Sequence, residues 1–478
     1  MNMLTQAAKM RTWSERLSPR MWRLLACCVC LAVLAVVLYR ALHITDYFLR
    51  HSDFYSYYQA ALDVRHGANP LAPVAGWIHG YQAPQRFVAS YFVYAPFFAL
   101  LLVPFTVLPF SAAFVLWGLC NTAFLFGAIY AVQRSTGIRF TLVSTLVLTT
   151  IAALLPPVRF ELTWGQADIF LLFMLCAAIW ARQEGHPILG GVLLAVACVT
   201  KPQLLLVVVI LLWKRELKFA GAAIVAFPVM LLAPFLWLGG QALADQFTVW
   251  QFWSNVYVPF IDNMAPKGVL ARLFTVNPSA HPFFVAPLLV TLGWLAIVAV
   301  VGLLTLAMVS SKPLRRDTLS MLELGLVVSA MLLISPLTEY IYLTLLVFSM
   351  VGVSILLSQV KWRSGAYRRV AIALFVFTVV ICLPLQRIEY FFWPRMYTSS
   401  PLSALYILLG APYLWVLVAY FVLHLYTLRL VTGQSPVRVV RAWGGSLAVL
   451  YRGIAQHDPR SRATAVVTSS GRQDARDI

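Results

Sequence analysis

The chain has 478 residues, 61% of them hydrophobic and 11% charged, with a mean hydropathy of +0.82 and a formal net charge of +19. So much apolar surface cannot be hidden inside a water-soluble domain, and lipid has to cover it. The positive charge also excludes a nucleic-acid partner, because it alternates along the chain in the manner of membrane topology instead of forming one basic patch.

The apolar residues come in long continuous runs, not in short alternating segments. That favours helices, which satisfy their own backbone groups in hydrocarbon, over a barrel. In chain order the runs are 24–44, 112–132, 140–155, 169–181, 187–200, 202–213, 219–238, 284–309, 319–334, 340–357, 370–384 and 404–428, about twelve transmembrane helices. Of the 36 Lys and Arg residues, 26 fall on one side of this arrangement together with both termini, so that side is predicted to be cytoplasmic. Stretch 94–110 is apolar but interrupted by Pro96, Pro104 and Pro109. If it spanned, every later loop would change sides, so it reads as an interfacial or re-entrant segment on the outer face. Stretch 187–213 reads as two short helices meeting at Lys201-Pro202, since a lysine at mid-membrane costs about 3 kcal/mol.

The expected organisation is a cytoplasmic segment 1–23, a transmembrane domain 24–430 whose first extracytoplasmic loop is 45–111, and a basic cytoplasmic tail 431–478. Run 24–44 serves as a signal anchor, and the tail reads as an amphipathic stretch followed by disorder. The fold class is therefore an all-α polytopic protein of the inner membrane with outer-face interfacial helices.

The seven cysteines all lie in apolar runs and argue against a disulfide framework. The eight histidines have no paired metal spacing, and no Gly-rich phosphate loop is present, so neither a metal nor a cofactor is expected. The inner loops are short and basic. The polar residues that topology does not explain fall on the outer side, which is the predicted functional face.

The first such segment is His51-Ser52-Asp53-Phe54-Tyr55-Ser56-Tyr57-Tyr58-Gln59. Ser52 or Asp53 can cap a helix here. The sharper reading makes Asp53 a general base for an acceptor hydroxyl, with Tyr57 and Tyr58 as a sugar platform, because partial desolvation strengthens a carboxylate as a base. Asp63 is the rival carboxylate, read as locally paired with Arg65 or solvated. In the connector 156–168, Arg159 suits a phosphate, Glu161 and Gln166 suit sugar hydroxyls, Gly165 permits close backbone approach, and Asp168 suits a helix cap. Lys201, followed by Gln203, either binds a phosphate or snorkels to the head groups. Glu339 follows Ser335-Pro336-Leu337-Thr338 and is either a helix cap or a second active-site acid. Arg387 and Arg395 lie among Tyr390, Phe391, Phe392 and Trp393, an interface belt whose arginines also suit a lipid phosphate.

Taken in order, Asp53-Phe54-Tyr55-Ser56-Tyr57-Tyr58-Gln59-Ala60-Ala61 with Gly67-Ala68-Asn69-Pro70-Leu71, Tyr94-Ala95-Pro96-Phe97, Trp164-Gly165-Gln166-Ala167-Asp168, Lys201-Pro202 and Ser335-Pro336-Leu337 resemble glycosyltransferase family 87 over roughly residues 24–430. The resemblance implies a GT-C-type membrane enzyme with a polyprenyl-phosphate sugar as donor, mannose or a related sugar, and a lipid or glycan acceptor. It implies metal-independent transfer on the outer face with Asp53 as the base. The chain departs from the family after Ser335-Pro336, where Thr338-Glu339-Tyr340-Ile341 lacks the histidine that members often carry. Two other classes also use many spans, a transporter or flippase of lipid-linked glycans and an envelope polysaccharide polymerase or ligase. A transporter would distribute its polar groups near the midplane and on both faces, whereas here they gather on one.

Overall fold

The computed structural model describes residues 19–43, 51–80, 91–360, 364–398, 402–436 and 438–440. The predicted N-terminal segment up to residue 18, parts of the first outer loop and the basic tail beyond 440 lie outside these residues. Every regular element among the described residues is helical. They are α1 (Pro19–Leu42), α2 (Asp53–Arg65), α3 (Ala72–His79), α4 (Pro96–Leu102), α5 (Phe110–Ser135), α6 (Leu142–Leu154), α7 (Pro156–Trp164), α8 (Asp168–Gln183), α9 (Pro187–Thr200) and α10 (Leu205–Trp213). Then follow α11 (Leu217–Leu232), α12 (Phe235–Asn255), α13 (Pro266–Phe274), α14 (Pro287–Met308), α15 (Thr318–Ile334), α16 (Val347–Gln359), α17 (Gly365–Cys382), α18 (Gln386–Met396), α19 (Ser403–Leu409) and α20 (Pro412–Thr432).

The helix starts follow local chemistry. Ser52, Thr141 and Asp317 accept hydrogen bonds from the backbone N–H three residues on, and proline occupies the first turn of α4, α7, α9, α13, α14 and α20. Over the described residues each of the twelve predicted runs is mainly helical, but 219–238 is broken between α11 and α12 and 404–428 between α19 and α20. By length and composition, six helices among the described residues suffice to cross a membrane: α1, α5, α14, the Tyr340–Gln359 unit that ends in α16, α17 and α20. Two sharply bent pairs, α6–α7 at 79° and α11–α12 at 84°, raise the number to eight. The expected count of twelve is not reached on this measure, because α9, α10 and α15 are short and α8 carries polar residues at both ends. Stretch 94–110 is the short α4 and a 3-10 turn, in keeping with its three prolines.

α15 is buried on every face from Ser320 to Leu333, as expected of a helix apolar all round, and packs against α10, α14, α16 and α20. Its ends mark two different surfaces about 25 Å apart. At its start the loops that look merely basic in sequence are knitted together. Arg182 pairs with Glu216 at 2.5 Å, Lys214 with Glu323 at 2.5 Å, and Arg316 with Glu184 at 2.8 Å. Arg316 also donates to the Arg134 carbonyl at 2.8 Å. At its other end Ser335 reaches a large cavity.

Candidate active site

α2 places Asp53. Ser52 is the cap, its hydroxyl accepting from the Tyr55 N–H at 3.3 Å, so the Asp53 carboxylate is not used up in capping. Phe54 anchors the helix start in a nest of Phe105, Phe110, Phe114 and Trp117. Asp53 is half-buried and lines a cavity of about 980 Å³.

The connector after α7 supplies its partner. Gly165 adopts φ +64, and a Cβ there would stand 2.6 Å from the Phe54 Cβ, so only glycine combines this turn with this packing. Its carbonyl accepts from the Trp117 indole at 2.8 Å. The close backbone approach that Gly165 permits is to Phe54. The next residue, Gln166, donates from Nε2 to Asp53 Oδ2 at 2.5 Å, and its Oε1 accepts from the Tyr57 hydroxyl at 2.8 Å. The Tyr57 and Tyr94 hydroxyls are hydrogen-bonded at 3.1 Å. The phenol oxygen can donate and the carboxylate can only accept, so this chain of bonds orients the amide and, through it, the carboxylate.

Beneath lies a buried charge pair. Lys201 Nζ donates to Asp168 at 2.8 and 2.7 Å and sits 3.5 Å above the Tyr342 ring. Asp168 opens α8 and donates its N–H to Glu161 Oε2 at 3.1 Å. Lys201 is therefore neither a free phosphate ligand nor a snorkelling side chain, and Asp168 is an ion-pair partner instead of a cap. Glu161 is fully buried and braces Asp168 without lining the cavity.

The opposite wall carries Glu339, whose Oε1 accepts from the Tyr257 hydroxyl at 3.3 Å. It makes no capping bond to the turn that follows. Burial, reinforced by Asp262, pushes the Glu339 carboxyl up to about 8, against the counter-pull of Lys201. Asp262 and Glu389 line the same wall, and burial raises both, Glu389 to about 8. Trp250, Trp253, Tyr257 and Tyr390 complete it. Asp262 and Glu389 escaped the sequence reading as site residues. Glu389 is hidden in an aromatic interface stretch, and the signal is its helical spacing with Gln386 and Tyr390, which share the cavity.

The other predicted residues divide as follows. Tyr57, Gln166 and Gln203 line the cavity, Gln203 accepting from the Ser335 hydroxyl at 2.9 Å. Tyr58 turns away, donating to the Leu108 carbonyl at 2.8 Å against Phe110, so it belongs to the core and not to a sugar platform. Arg65 donates to the Thr106 carbonyl at 3.1 Å and forms no ion pair with Asp63. Arg387 and Arg395 are exposed on α18 outside the cavity lining, Arg395 lying on the Phe391 ring. Arg159 is exposed and lines a neighbouring hollow.

A model of glycosyltransferase family 87 matches residues 92–336, just over half of the chain. The chain belongs to glycosyltransferase family 87. The family 87 match takes in Gln166, Asp168, Lys201 and Gln203, and Asp53 and Glu339 flank it. The chain is also similar to the polyprenol-phosphate-mannose-dependent alpha-(1-2)-phosphatidylinositol pentamannoside mannosyltransferase of Mycobacterium tuberculosis (strain CDC 1551 / Oshkosh), 27% identical over 192 residues. That alignment covers 40% of this chain and 42% of the relative, so the chain spans less than half of the relative's length.

Proposed function

We propose that the protein is a membrane glycosyltransferase that moves a sugar, mannose or a related one, from a polyprenyl-phosphate donor to a hydroxyl of a lipid or glycan acceptor. The reaction takes place at the extracytoplasmic face. The observation that carries this reading is the half-buried Asp53 carboxylate, presented to a cavity of about 980 Å³ and oriented by Gln166 and Tyr57. Family membership and the donor named for the mycobacterial relative support the donor class. The gathering of 26 of 36 basic residues on the opposite side supports the face.

In this reading Asp53 accepts the proton of the acceptor hydroxyl as its oxygen bonds to the anomeric carbon. The bond from that carbon to the phosphate oxygen breaks, and its electron pair leaves with the lipid phosphate, so the anomeric centre inverts. Trp250, Trp253 and Tyr257 offer ring faces to sugar C–H surfaces, and the carboxyl oxygens of Asp262 and Glu389 offer acceptors to hydroxyls. Glu339, held protonated near neutral pH, suits a hydrogen-bond donor and not a second base.

The test is incubation of the purified protein with a panel of polyprenyl-phosphate sugars and release of polyprenyl phosphate as readout. Asp53→Asn keeps the fold, because the amide still meets Gln166 after a flip, and loses transfer by about 10²–10⁴-fold, the usual worth of a general base. Full activity in purified Asp53→Asn would sink the assignment.

A further inference from the structure

Beside the Asp53 cavity lies a second hollow of about 660 Å³. One wall is the α1 face carrying Val33, Val36 and Val37, and the hollow holds two guanidiniums, Arg40 and Arg159. Both arginines are exposed, and among the described residues neither has a carboxylate within 4 Å. The two hollows share a wall, since Phe160, Tyr340, Gln386 and Tyr413 line both.

Charge separates the two compartments. The larger holds four carboxyl groups and no free cation among the described residues: Asp53, Asp262, Glu339 and Glu389 line it, and its lysine is paired with Asp168. Among the described residues, a phosphate entering there meets no uncommitted Lys or Arg. The smaller holds two guanidiniums that have no carboxylate partner among the described residues, beside a hydrocarbon wall on α1, which is only 11% buried along its most apolar stretch and so faces lipid. Guanidinium forks match phosphate oxygens, and the valine face matches an isoprenoid tail. An ordinary phospholipid shares part of this chemistry, but the contiguity with Asp53 favours the lipid whose phosphate carries the reacting sugar.

We propose that this groove binds the polyprenyl phosphate: Arg40 and Arg159 hold the phosphate, Val33, Val36 and Val37 receive the first isoprene units, and the sugar reaches past Phe160 and Tyr340 toward Asp53. This rests on the glycosyltransferase reading and deepens it. It also places the neutral part of the acceptor, not an anionic head group, among the carboxyl groups of the larger cavity.

The experiment uses the full chain in lipid nanodiscs with a polyprenyl phosphate bearing a diazirine near the phosphate, alongside donor titrations of transfer. Wild type is expected to be labelled on α1 between Ala32 and Ala41. Arg40→Gln with Arg159→Gln is expected to lose labelling and to raise the donor KM by about tenfold or more, the worth of two charge-assisted bonds. Arg159→Lys restores part of the labelling, and Val36→Trp, which fills the groove, blocks it while the arginines remain. Excess unlabelled polyprenyl phosphate displaces the probe and excess phosphatidic acid does not. Adducts confined to α12 or α18, an unchanged donor KM in the double variant, or equal displacement by phosphatidic acid would each overturn the groove. Transfer with adducts elsewhere leaves the glycosyltransferase reading standing without the groove. Arginine-dependent labelling of α1 with no transfer from any lipid-linked sugar keeps the groove as a lipid-phosphate site and removes that reading.

Discussion

Asp53 and Glu339 are carboxyls in one cavity, and their surroundings assign them different work. Asp53 is half-exposed and accepts a side-chain amide hydrogen bond; Glu339 is buried, and its carboxyl is raised from 4.5 to about 8 chiefly by desolvation. The sign of this shift has a consequence for pH. A raised carboxyl pKa means that the fold prefers the protonated form, so the associated stability is complete below about 4.5 and declines as pH rises through 8. Activity should follow the same group: above about pH 8 an ionised Glu339 can no longer donate a hydrogen bond to the sugar, whereas a glutamine amide can. The expected pH–rate profile therefore falls on its alkaline side in the wild type and stays flat there in Glu339→Gln. Glu389 and Asp262 face the same space, and Glu389 also titrates near 8, so Glu389→Gln is the comparison that should keep the descending limb. A descending limb unchanged in Glu339→Gln would take the role away from this residue. Asp53 and Gln166 were both legible in sequence as polar residues with no topological excuse. Their hydrogen bond was not, since 113 residues separate them, and neither was the Asp168–Lys201 pair that removes Lys201 from the pool of phosphate ligands.

Elements carry the site by their ends. α2 starts at Asp53, α9 stops before Lys201, and α15 stops before Ser335, so one cavity collects three helix termini, and the α8 start at Asp168 backs it through Lys201. The runs themselves were readable because apolar length needs no partner to be recognised. The bends of 79° and 84° were not, because a run of apolar residues looks the same straight or folded back. The short α7 illustrates the point. Leu155-Pro156 breaks the preceding helix, and Gly165 ends α7 in the left-handed region, turning Gln166 inward. Gly165→Ala should therefore do two kinds of damage. The left-handed backbone costs an alanine about 1–2 kcal/mol, and the new methyl meets Phe54 at 2.6 Å, pushing on the helix start that presents Asp53. Gly67 supplies the control: its φ is +73, but a Cβ there meets nothing within 4 Å. Thermal unfolding in detergent should show a loss of about 1–2 kcal/mol for Gly67→Ala, the backbone term alone. Gly165→Ala should lose clearly more and transfer sugar more slowly. Equal losses with full activity in both would mean that the Phe54 contact does not position the site.

At the scale of the whole molecule, the charge alternation that suggests topology in one dimension becomes a polarity in three. The loops predicted to be cytoplasmic converge at one end, where Arg182–Glu216, Lys214–Glu323 and Arg316–Glu184 tie together segments far apart in sequence. Of the polar residues predicted to be external, Asp53, Gln166, Lys201, Gln203 and Glu339 meet at the other end, around the cavity. α15 connects the two, from Asp317 in the basic cluster to Ser335 at the cavity. Membrane crossing and site location are therefore a single claim, because inverting the protein would move both clusters together. Ser311 lies exposed at the basic end and Thr398 lies exposed just after α18, beside the cavity end. In a background freed of the seven native cysteines, Thr398→Cys should react with a membrane-impermeant maleimide in intact cells. Ser311→Cys should react only after the membrane is opened. The reverse pattern would put the Asp53 cavity on the cytoplasmic side, where soluble nucleotide sugars are available and a lipid-linked donor is no longer needed. Labelling of both residues in intact cells would mean that the described helices do not separate these two ends across one bilayer, and the charge-based orientation would fall with them.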